Sequence, residues 1–270
     1  MPQPEAVHEV AAAAQAGGHY RAIDPALVER LAFQELSKGR SSKEAVKAVR
    51  SKLHQVGSAY LEKPVDYAAL VTQLDALPAS LHAPEVQAFC RQTMRLHTSS
   101  NERLALLDHF YAQALQSLAP IRSILDVACG FNPLALPWMP VAADVQYFAC
   151  DIFSDMVGFL DHFFRHFQVA GSATVCDLSH SIPQQPAQLA FLLKTLPCLE
   201  QLDKSLSVRL LAEIPADHLL VSFPVASLGG RGKGMRQNYE AHFLELTKDW
   251  RGKIQRFEFQ TELAYLLSRQ

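Results

Sequence analysis

The most restrictive feature of this sequence is a change of pattern after Pro120. From there on, short β-branched or aromatic runs alternate with segments whose apolar residues recur every three or four positions, the order expected of a parallel α/β sheet. The predicted strands are 123–127, 146–150, 173–176, 189–193 and 218–223, and the predicted helices are 134–139, 154–168, 202–213 and 236–250. Two closing runs, 253–260 and 262–267, are near enough to form an antiparallel pair. This part of the chain therefore predicts an α/β fold.

The first hundred residues contain no convincing strand pattern. Their apolar residues recur at helical spacing and predict helices over 26–36, 43–56, 65–77, 84–96 and 99–118. Residues 1–20 are rich in alanine and include Gly17 and Gly18, and we expect them to be partly disordered. The predicted organisation is an all-helical N-terminal region, 1–96, followed by an α/β domain, 97–270.

Composition excludes several classes of protein. Of the 270 residues, 49% are hydrophobic and 19% charged, which is typical of a globular chain. A net charge of -2 argues against wholesale coating of nucleic acid but is compatible with a local basic face. The five cysteines stand singly, without the spacing of zinc sites, so we expect no metal and interpret them as buried thiols in a reducing cytosol.

The sequence also argues against a membrane protein. No run approaches the roughly 18 apolar residues of a membrane span. Glu5 and Glu9 stand where a signal peptide carries basic residues. We therefore expect a cytoplasmic protein without a membrane partner.

Residues that directly follow the strands are the first candidates for a ligand site, because open parallel sheets bind ligands beyond the carboxyl ends of their strands. The first strand runs into D-V-A-C-G-F-N-P at 126–133, where Gly130 permits a close approach of backbone to ligand. Asn132 is predicted to cap a helix whose first residue is Pro133.

Two further strands end on an acidic residue. Asp151 stands about twenty residues after Gly130, the position of a carboxylate that binds ribose hydroxyls in nucleotide-binding units. Asp177 follows the third strand, where its carboxylate can accept from an adenine amino group while the backbone of Leu178 faces the ring. A single carboxylate at the end of a strand more often caps a helix or faces solvent. The Gly130 loop, Asp151 and Asp177, which follow three successive strands, together favour an adenosine pocket. Since the G-x-G-x-x-G pattern is missing, a dinucleotide is disfavoured.

Basic residues in the C-terminal half are candidates for contacts with nucleic acid. Lys194 ends an apolar strand, where it either contacts a phosphate or a guanine O6 or is simply an exposed charge. Four of the twelve glycines fall within 229–234, interleaved with Arg231 and Lys233 and followed by Arg236. Such a loop is flexible and cationic and can bring backbone close to phosphate, although a solvated loop is the alternative.

A second basic group lies in the helical part. Lys43, Lys47 and Arg50 recur on one face of the helix predicted over 43–56. This face is interpreted as a phosphate-binding stripe, with a merely solvated helix face almost as probable.

Longer stretches of the sequence resemble one known family. H-T-S-S-N-E-R at 97–103 and L-D-V-A-C-G-F-N-P-L-A-L-P-W-M at 125–139 are similar to the aminoglycoside-resistance 16S rRNA methyltransferases, which modify N7 of guanine 1405 in the decoding site. The likeness continues through C-D-L at 176–178, L-L-K-T-L-P-C-L-E at 192–200 and G-G-R-G-K-G-M at 229–235. It runs from about residue 97 to the C-terminus, whereas the first hundred residues contain no motif that matches with confidence.

The resemblance implies a class I Rossmann-like domain that binds S-adenosylmethionine, preceded by a helical region that docks on the assembled small (30S) ribosomal subunit. It implies that Arg103 holds the methionine carboxylate, that Gly130 lines the cleft, and that Asp151 and Asp177 bind ribose and adenine. The predicted cofactor-binding set is His97, Arg103, Ala128, Gly130, Asp151, Ile152, Asp177 and Leu178. The predicted catalytic set, on the target side, is Lys194, Glu200 and Arg231. The predicted RNA-binding set is Lys43, Lys47, Arg50, Lys233 and Arg236.

The predicted function is methyl transfer from S-adenosylmethionine to N7 of guanine 1405 in 16S rRNA, with resistance to aminoglycosides as the consequence. Guanine N7 carries a lone pair and no proton, so the reaction needs orientation and desolvation rather than a general base. Cys198 is interpreted as a structural thiol. Two alternatives remain open, a class I methyltransferase that acts on another RNA or a small molecule, and a catalytically silent RNA- or ribosome-binding module.

Overall fold

In the part of the chain that the computed structural model describes, residues 1–18, 20–57, 60–61, 63–225 and 234–270, seven strands form one mixed sheet. Their order across the sheet is β3-β2-β1-β4-β5-β7-β6. The strands are β1 Ile121–Val127, β2 Val141–Asp151, β3 Ala170–Val175, β4 Ala187–Leu193, β5 Ala216–Pro224, β6 Gly252–Glu258 and β7 Glu262–Arg269. Each overlaps a predicted strand, and the α/β fold predicted for this part of the chain is confirmed.

The pairing of the strands creates a crevice at one edge of the sheet. Strand β1 pairs in parallel with β2 on one side and β4 on the other, and β2 and β4 pair in parallel with β3 and β5. Strand β7 pairs antiparallel with β6, as the two closing runs of the sequence predict, and on its other side it pairs antiparallel with β5. Because the chain leaves β1 toward β2 and β3 and returns on the other side as β4, the connections diverge at the carboxyl ends of β1 and β4.

Helices precede the sheet and cover it. They are α1 Pro4–Gln15, α2 Pro25–Ser37, α3 Ser42–Val56, α4 Tyr67–Asp75, α5 Pro84–Met94, α6 Thr98–Arg103, α7 Leu107–Ala114, α8 Ser154–His166, α9 Leu196–Leu199, α10 Leu206–Glu213 and α11 Met235–Leu246. Side chains cap several of these starts. Asp24 accepts from the N–H of Ala26, and Ser41 and Glu44 form a reciprocal capping box at α3.

The prediction of partial disorder over residues 1–20 is wrong for most of that segment. Helix α1 forms there and packs on α2 and α3, with Val10, Ala11 and Ala14 buried. Small side chains on the buried face allow the neighbouring helices to come close. Tertiary packing therefore stabilises a segment whose composition alone indicates little order.

The prediction of one helix over 99–118 is also wrong. A 3-10 turn at Leu104–Leu106 separates α6 from α7, and a second follows at Gln116–Leu118. Arg103 and Tyr111, which lie on opposite sides of the first turn, both donate to the same buried oxygen, Oδ1 of Asn132. The interruption of the helix thus coincides with a polar contact in the core.

Two apolar clusters fill the space on either side of the sheet. One contains Val49, Leu53, Phe131 and Phe159 among its members, so it extends from the N-terminal helices to the sheet without interruption. The other lies under α10 and α11 and includes Phe243. The boundary predicted between 96 and 97 stays a prediction, because buried side chains from both sides of it share the first cluster.

None of the helices within the described ranges has the length and apolar character needed to cross a bilayer. The same part of the chain holds no group of three or more His, Cys, Asp and Glu side chains arranged to bind a metal ion.

Candidate functional site

A cleft opens at the carboxyl ends of β1, β2, β3 and β4, where the strand topology predicts a ligand. It measures about 690 Å³, including the part open to solvent, which is within the usual range for small-molecule sites. Seven residues of the predicted site line it: His97, Ala128, Asp151, Ile152, Asp177, Leu178 and Lys194. The N-terminal helices contribute to the same wall through Leu27, Val56 and Gly57. The structure therefore brings most of the predicted cofactor-binding set together at one cleft.

The loop after β1 is held in an unusual backbone conformation. Ala128 and Gly130 have φ angles of 50° and 52°, in the left-handed region that glycine favours. A Cβ on Gly130 would lie 2.8 Å from a ring carbon of His97, so a larger residue would clash there. Gly130 thus accommodates the His97 ring, while Ala128 is the residue of this loop that lines the cleft.

Asp151 is buried at the end of β2 and oriented by backbone donors. Its Oδ2 accepts from the N–H of Gly130 at 2.9 Å, and its Oδ1 accepts from the N–H of Ile152 at 2.7 Å. Burial raises the pKa of Asp151, and these N–H groups oppose the rise. A carboxylate held in this way has acceptor capacity left for a pair of hydroxyls.

Asp177 follows β3 and is contacted by a residue that the sequence analysis did not identify. Its Oδ1 accepts from the backbone N–H of Ser179 at 2.8 Å and from the Ser179 hydroxyl at 2.7 Å. Its Oδ2 forms an ion pair with Arg30 of α2. No local pattern around Arg30 relates it to a carboxylate almost 150 residues away, so only the tertiary structure reveals the contact.

His97 is buried beside the cleft in the neutral state. Its ring stacks on Tyr60 with a centroid distance of 5.8 Å, and Nδ1 lies 3.2 Å from the Ser99 hydroxyl. Burial, reinforced by the charges of Lys194 and Arg103, lowers the pKa of His97 to about 3. The imidazole is therefore a shaped, uncharged part of the wall.

Arg103 lies behind the wall of the cleft rather than on it. The guanidinium is 2% exposed and donates to both carboxylate oxygens of Glu262, at 3.1 and 2.7 Å, and to Asn132 at 3.2 Å. With these partners Arg103 orients the residues around the cleft, and direct contact with a methionine carboxylate stays a prediction. A glutamate at the start of the apolar run E-L-A-Y-L-L is the sequence signal that points to such a buried partner.

Lys194 is not the exposed strand-end charge that the sequence left open. Its side chain is 4% exposed, and the ammonium lies 2.6 Å from Glu102, 3.6 Å from Glu262 and 3.3 Å from the carbonyl oxygen of Ser99. Burial acts to raise the pKa of Glu262, but Arg103 and Lys194 outweigh it and the pKa lies below its ordinary value. The φ of Lys194 is 59°, a second strained backbone position at the rim of the cleft.

The prediction that Asn132 caps a helix is wrong. A 3-10 segment, Asn132–Trp138, follows β1, and the Asn132 side chain makes no cap bond. Its amide instead donates to Asp126 at 2.8 Å, and Tyr147 donates to the same carboxylate at 2.7 Å. Burial raises the pKa of Asp126 to about 7, against the effect of these two donors. The asparagine serves the polar core beneath the loop.

Glu200 and Arg236 are not among the residues that line the cleft. Both oxygens of Glu200 lie within 2.9 Å of Nε2 of His242 on α11. Arg236 pairs with Glu258 at the end of β6. Arg231 and Lys233 lie outside the described residues. The structure therefore describes only part of the predicted target side.

The basic stripe of α3 divides into two kinds of residue. Lys43 and Lys47 are exposed, in keeping with a surface that contacts phosphate or solvent. Arg50 instead donates to the carbonyl oxygens of Ala13 and Ala14, at 2.6 and 3.2 Å, and so caps the C-terminal end of α1. Arg50 joins two helices, which limits its availability to RNA.

The residues of the cleft fit a nucleoside. Two strand-end carboxylates, Asp151 and Asp177, face a cleft whose walls are apolar at Leu27, Ile152 and Leu178. Carboxylates bind hydroxyl and amino donors, and apolar walls bind a flat base. An open α/β sheet with this arrangement defines a nucleoside-binding protein of the α/β class.

Comparison with protein families identifies the family within this class. Residues 16–266 match the family described as Ribosomal RNA methyltransferase (FmrO). The chain belongs to this family.

Individual relatives are similar over nearly the whole chain. The 16S rRNA (guanine(1405)-N(7))-methyltransferase of Micromonospora echinospora is 36% identical over 252 residues, 93% of this chain and 92% of the relative. The protein of the same name from Micromonospora rosea is 34% identical over 250 residues, 92% and 91% of the two chains. Among solved structures, the 16S rRNA methyltransferase RmtF in complex with S-adenosyl-L-homocysteine superimposes with a TM-score of 0.83 at 30% identity, covering 100% of both chains.

We predict that replacing His97 with asparagine flattens the pH dependence of stability. Because the folded pKa lies near 3 and the ordinary value is 6.5, only the unfolded chain binds a proton here between those values. The contribution of His97 is fully present above pH 6.5 and decreases by about 1.4 kcal/mol per pH unit as the pH falls. Urea unfolding followed by circular dichroism from about pH 7 to 5 measures it. The exposed His8, replaced in the same way, is the control, and equal slopes for wild type and His97→Asn would contradict the prediction.

Proposed function

We propose that the protein transfers the methyl group of S-adenosylmethionine to N7 of guanine 1405 in 16S rRNA of the assembled 30S subunit, in the cytoplasm. In this proposal a class I Rossmann-like domain, 97–270, carries the reaction, and an all-helical domain, 1–96, docks on the ribosome. The observation that carries it is the position of Asp151 and Asp177 at one cleft in a chain of this family. Relatives of the same family bear the name of this activity.

In this proposal, each part of the cofactor is assigned to particular residues of the cleft. When bound, S-adenosylmethionine supplies an electrophilic methyl group on a sulfonium centre. Asp151 accepts hydrogen bonds from ribose, Asp177 accepts from adenine, and Ile152 and Leu178 pack on the base. Ala128, Gly130 and His97 shape the methionine end, and Arg103 supports that end through Asn132.

The transfer requires orientation rather than proton movement. Guanine N7 attacks with a lone pair and loses no proton, so no residue needs to act as a base. Lys194 lies at the rim of the cleft, where its charge is held by Glu102 and Glu262. We assign Lys194, Glu200 and Arg231 to the target side, where they orient the guanine and exclude water.

The product explains a physiological effect. N7 methylation adds a methyl group and a positive charge to a site that accepts polycationic aminoglycosides. Bulk and like-charge repulsion then oppose drug binding. We expect bacteria that express the protein to become resistant to kanamycin- and gentamicin-type drugs.

The decisive experiment is to map the modified nucleotide. We expect 30S subunits incubated with the protein and S-adenosylmethionine to give one new primer-extension stop at guanine 1405 after reduction and strand cleavage. Free 16S rRNA and a small-molecule extract, each with labelled cofactor, are the parallel reactions. Label in either of these without a stop in the 30S reaction would refute the target, and no label anywhere despite cofactor binding would indicate a silent module.

Substitutions on the cofactor side and on the target side of the site are predicted to have different effects. Asp177→Ala removes an adenine acceptor, so it should weaken binding of S-adenosylhomocysteine by about tenfold or more in titration calorimetry. Arg231→Ala should leave that affinity unchanged and abolish methylation of 30S subunits. Full activity of Arg231→Ala would make the target-side assignment wrong.

The exposed lysines of α3 are predicted to bind rRNA phosphate. The double variant Lys43→Glu and Lys47→Glu should raise the 30S concentration needed for half-maximal methylation and reduce its dependence on salt, because two phosphate contacts are lost. Affinity for S-adenosylhomocysteine should not change. Lys248→Glu, an exposed lysine on another face, is the control. An unaltered response to 30S concentration and salt would show that α3 has only a solvated face.

A further inference from the structure

Arg30, a charged residue of the N-terminal helix α2, lies behind the lining of the cleft and contacts one of its acidic residues, Asp177. Its terminal nitrogen and Oδ2 of Asp177 are both excluded from solvent and form an ion pair. The Arg30 side chain as a whole is 31% exposed, whereas the Asp177 side chain is 5% exposed. The contact therefore places a cation from α2 against the acidic residue at the end of β3.

Backbone hydrogen bonds join the residues before α2 to the residues that follow Asp151, the other carboxylate of the cleft. The N–H of Asp24 donates to the carbonyl oxygen of Ile152 at 2.9 Å, and the N–H of Ser154 donates to that of Ala22 at 2.8 Å. Ile23 and Phe153 form an antiparallel bridge between these bonds. Helix α2 is thus attached to the residues immediately after Asp151, and one turn before Arg30 its Leu27 lines the cleft.

The hydrogen-bond partners of Asp177 define what Arg30 does. Ser179 supplies both donors to Oδ1, and Arg30 faces Oδ2. A carboxylate has about four acceptor positions, so one remains for a ligand. Without Arg30, Oδ2 would be a buried charge without a partner, which is costly and is relieved by protonation or rotation. Arg30 therefore gives Oδ2 a cationic partner, which opposes both of these changes.

We propose that Arg30 is a specificity-determining residue that holds Asp177 as a pure hydrogen-bond acceptor, so that the cleft selects a 6-aminopurine nucleoside over a 6-oxopurine one. This inference rests on the proposed adenine role of Asp177. An ionised carboxylate accepts from the amino group of adenine and repels the carbonyl oxygen of hypoxanthine. A protonated carboxyl donates as well as accepts, and a rotated carboxylate no longer faces position 6, so either distinguishes the two bases poorly.

Arg30 acts through Asp177, so it is a positioning residue and its test is a ratio of affinities. The probes are S-adenosylhomocysteine and S-inosylhomocysteine, titrated into the full-length protein by calorimetry near neutral pH. They differ in the group at position 6 of the purine and in the proton that N1 of hypoxanthine carries. We expect wild type to prefer the adenosine compound by about a hundredfold, a discrimination that a pairing of donor and acceptor can supply.

The variants separate the charge of Arg30 from its bulk. In Arg30→Met the preference should fall to within about threefold, mainly by loss of affinity for the adenosine compound. Arg30→Lys should restore most of the preference, because the cation is retained. Arg95→Met, an exposed arginine of the same helical region, should behave as wild type. Thermal unfolding by circular dichroism checks that each variant is folded, and Arg30→Gln replaces Arg30→Met if the latter is not.

The outcomes distinguish this inference from the proposed function. If Asp177→Asn removes the preference but Arg30→Met and Arg30→Gln retain it, the role of Arg30 is refuted and the adenine site stands. If Asp177→Asn leaves both affinities unchanged, the adenine assignment fails, and the inference fails with it. The double variant Arg30→Met, Asp177→Asn should prefer the adenosine compound as strongly as Asp177→Asn alone, since Arg30 acts only through that carboxylate. A weaker preference in the double variant would contradict the mechanism.

Discussion

The arrangement of the cleft depends on one buried ion pair, Arg103 with Glu262. Both side chains are almost fully excluded from water, and a pair in that setting is stable only when its geometry is good and its remaining donors are satisfied. Here Asn132 takes the third bond of the guanidinium, and Lys194 approaches the same carboxylate. The pair thereby links the helix after His97, the loop after β1 and the first residue of β7. Removing Glu262 would leave the Arg103 guanidinium as an uncompensated charge in the core, at a cost of about 3–5 kcal/mol.

The N-terminal helices are part of the site and not only an attachment to it. The apolar cluster that contains Val49 and Leu53 also contains Phe131 and Phe159, so the two regions share a core. Bonds from residues 22–24 to residues 152–154 attach α2 next to Asp151. In consequence, a shift of α2 would also move the residues beside Asp151, because hydrogen bonds of 2.8 and 2.9 Å connect the two segments.

Much of the fold was predictable because it depends on patterns that lie close together in the chain. The alternation of apolar runs and helical segments after Pro120 predicts each strand to within a few residues, since burial on both faces of a parallel sheet demands such runs. Failures occurred where distant contacts override local preference. Alanine-rich residues 4–15 form a helix because α2 and α3 cover it, and 99–118 is interrupted by a 3-10 turn between Arg103 and Tyr111, which both donate to Asn132.

The amino-acid sequence alone determines which chemical groups stand at the ends of the strands. A parallel sheet brings Asp151, Asp177 and Lys194 to the same edge, whatever the packing of the remaining chain. The sequence also carries the motifs of the family to which the chain belongs. The partners of those groups follow from three-dimensional packing. Arg30 meets Asp177, Glu262 meets Arg103, and Arg50 turns from the predicted RNA face to the end of α1. Charges buried far apart in sequence must find opposite charges in space, and no local pattern records which ones they find.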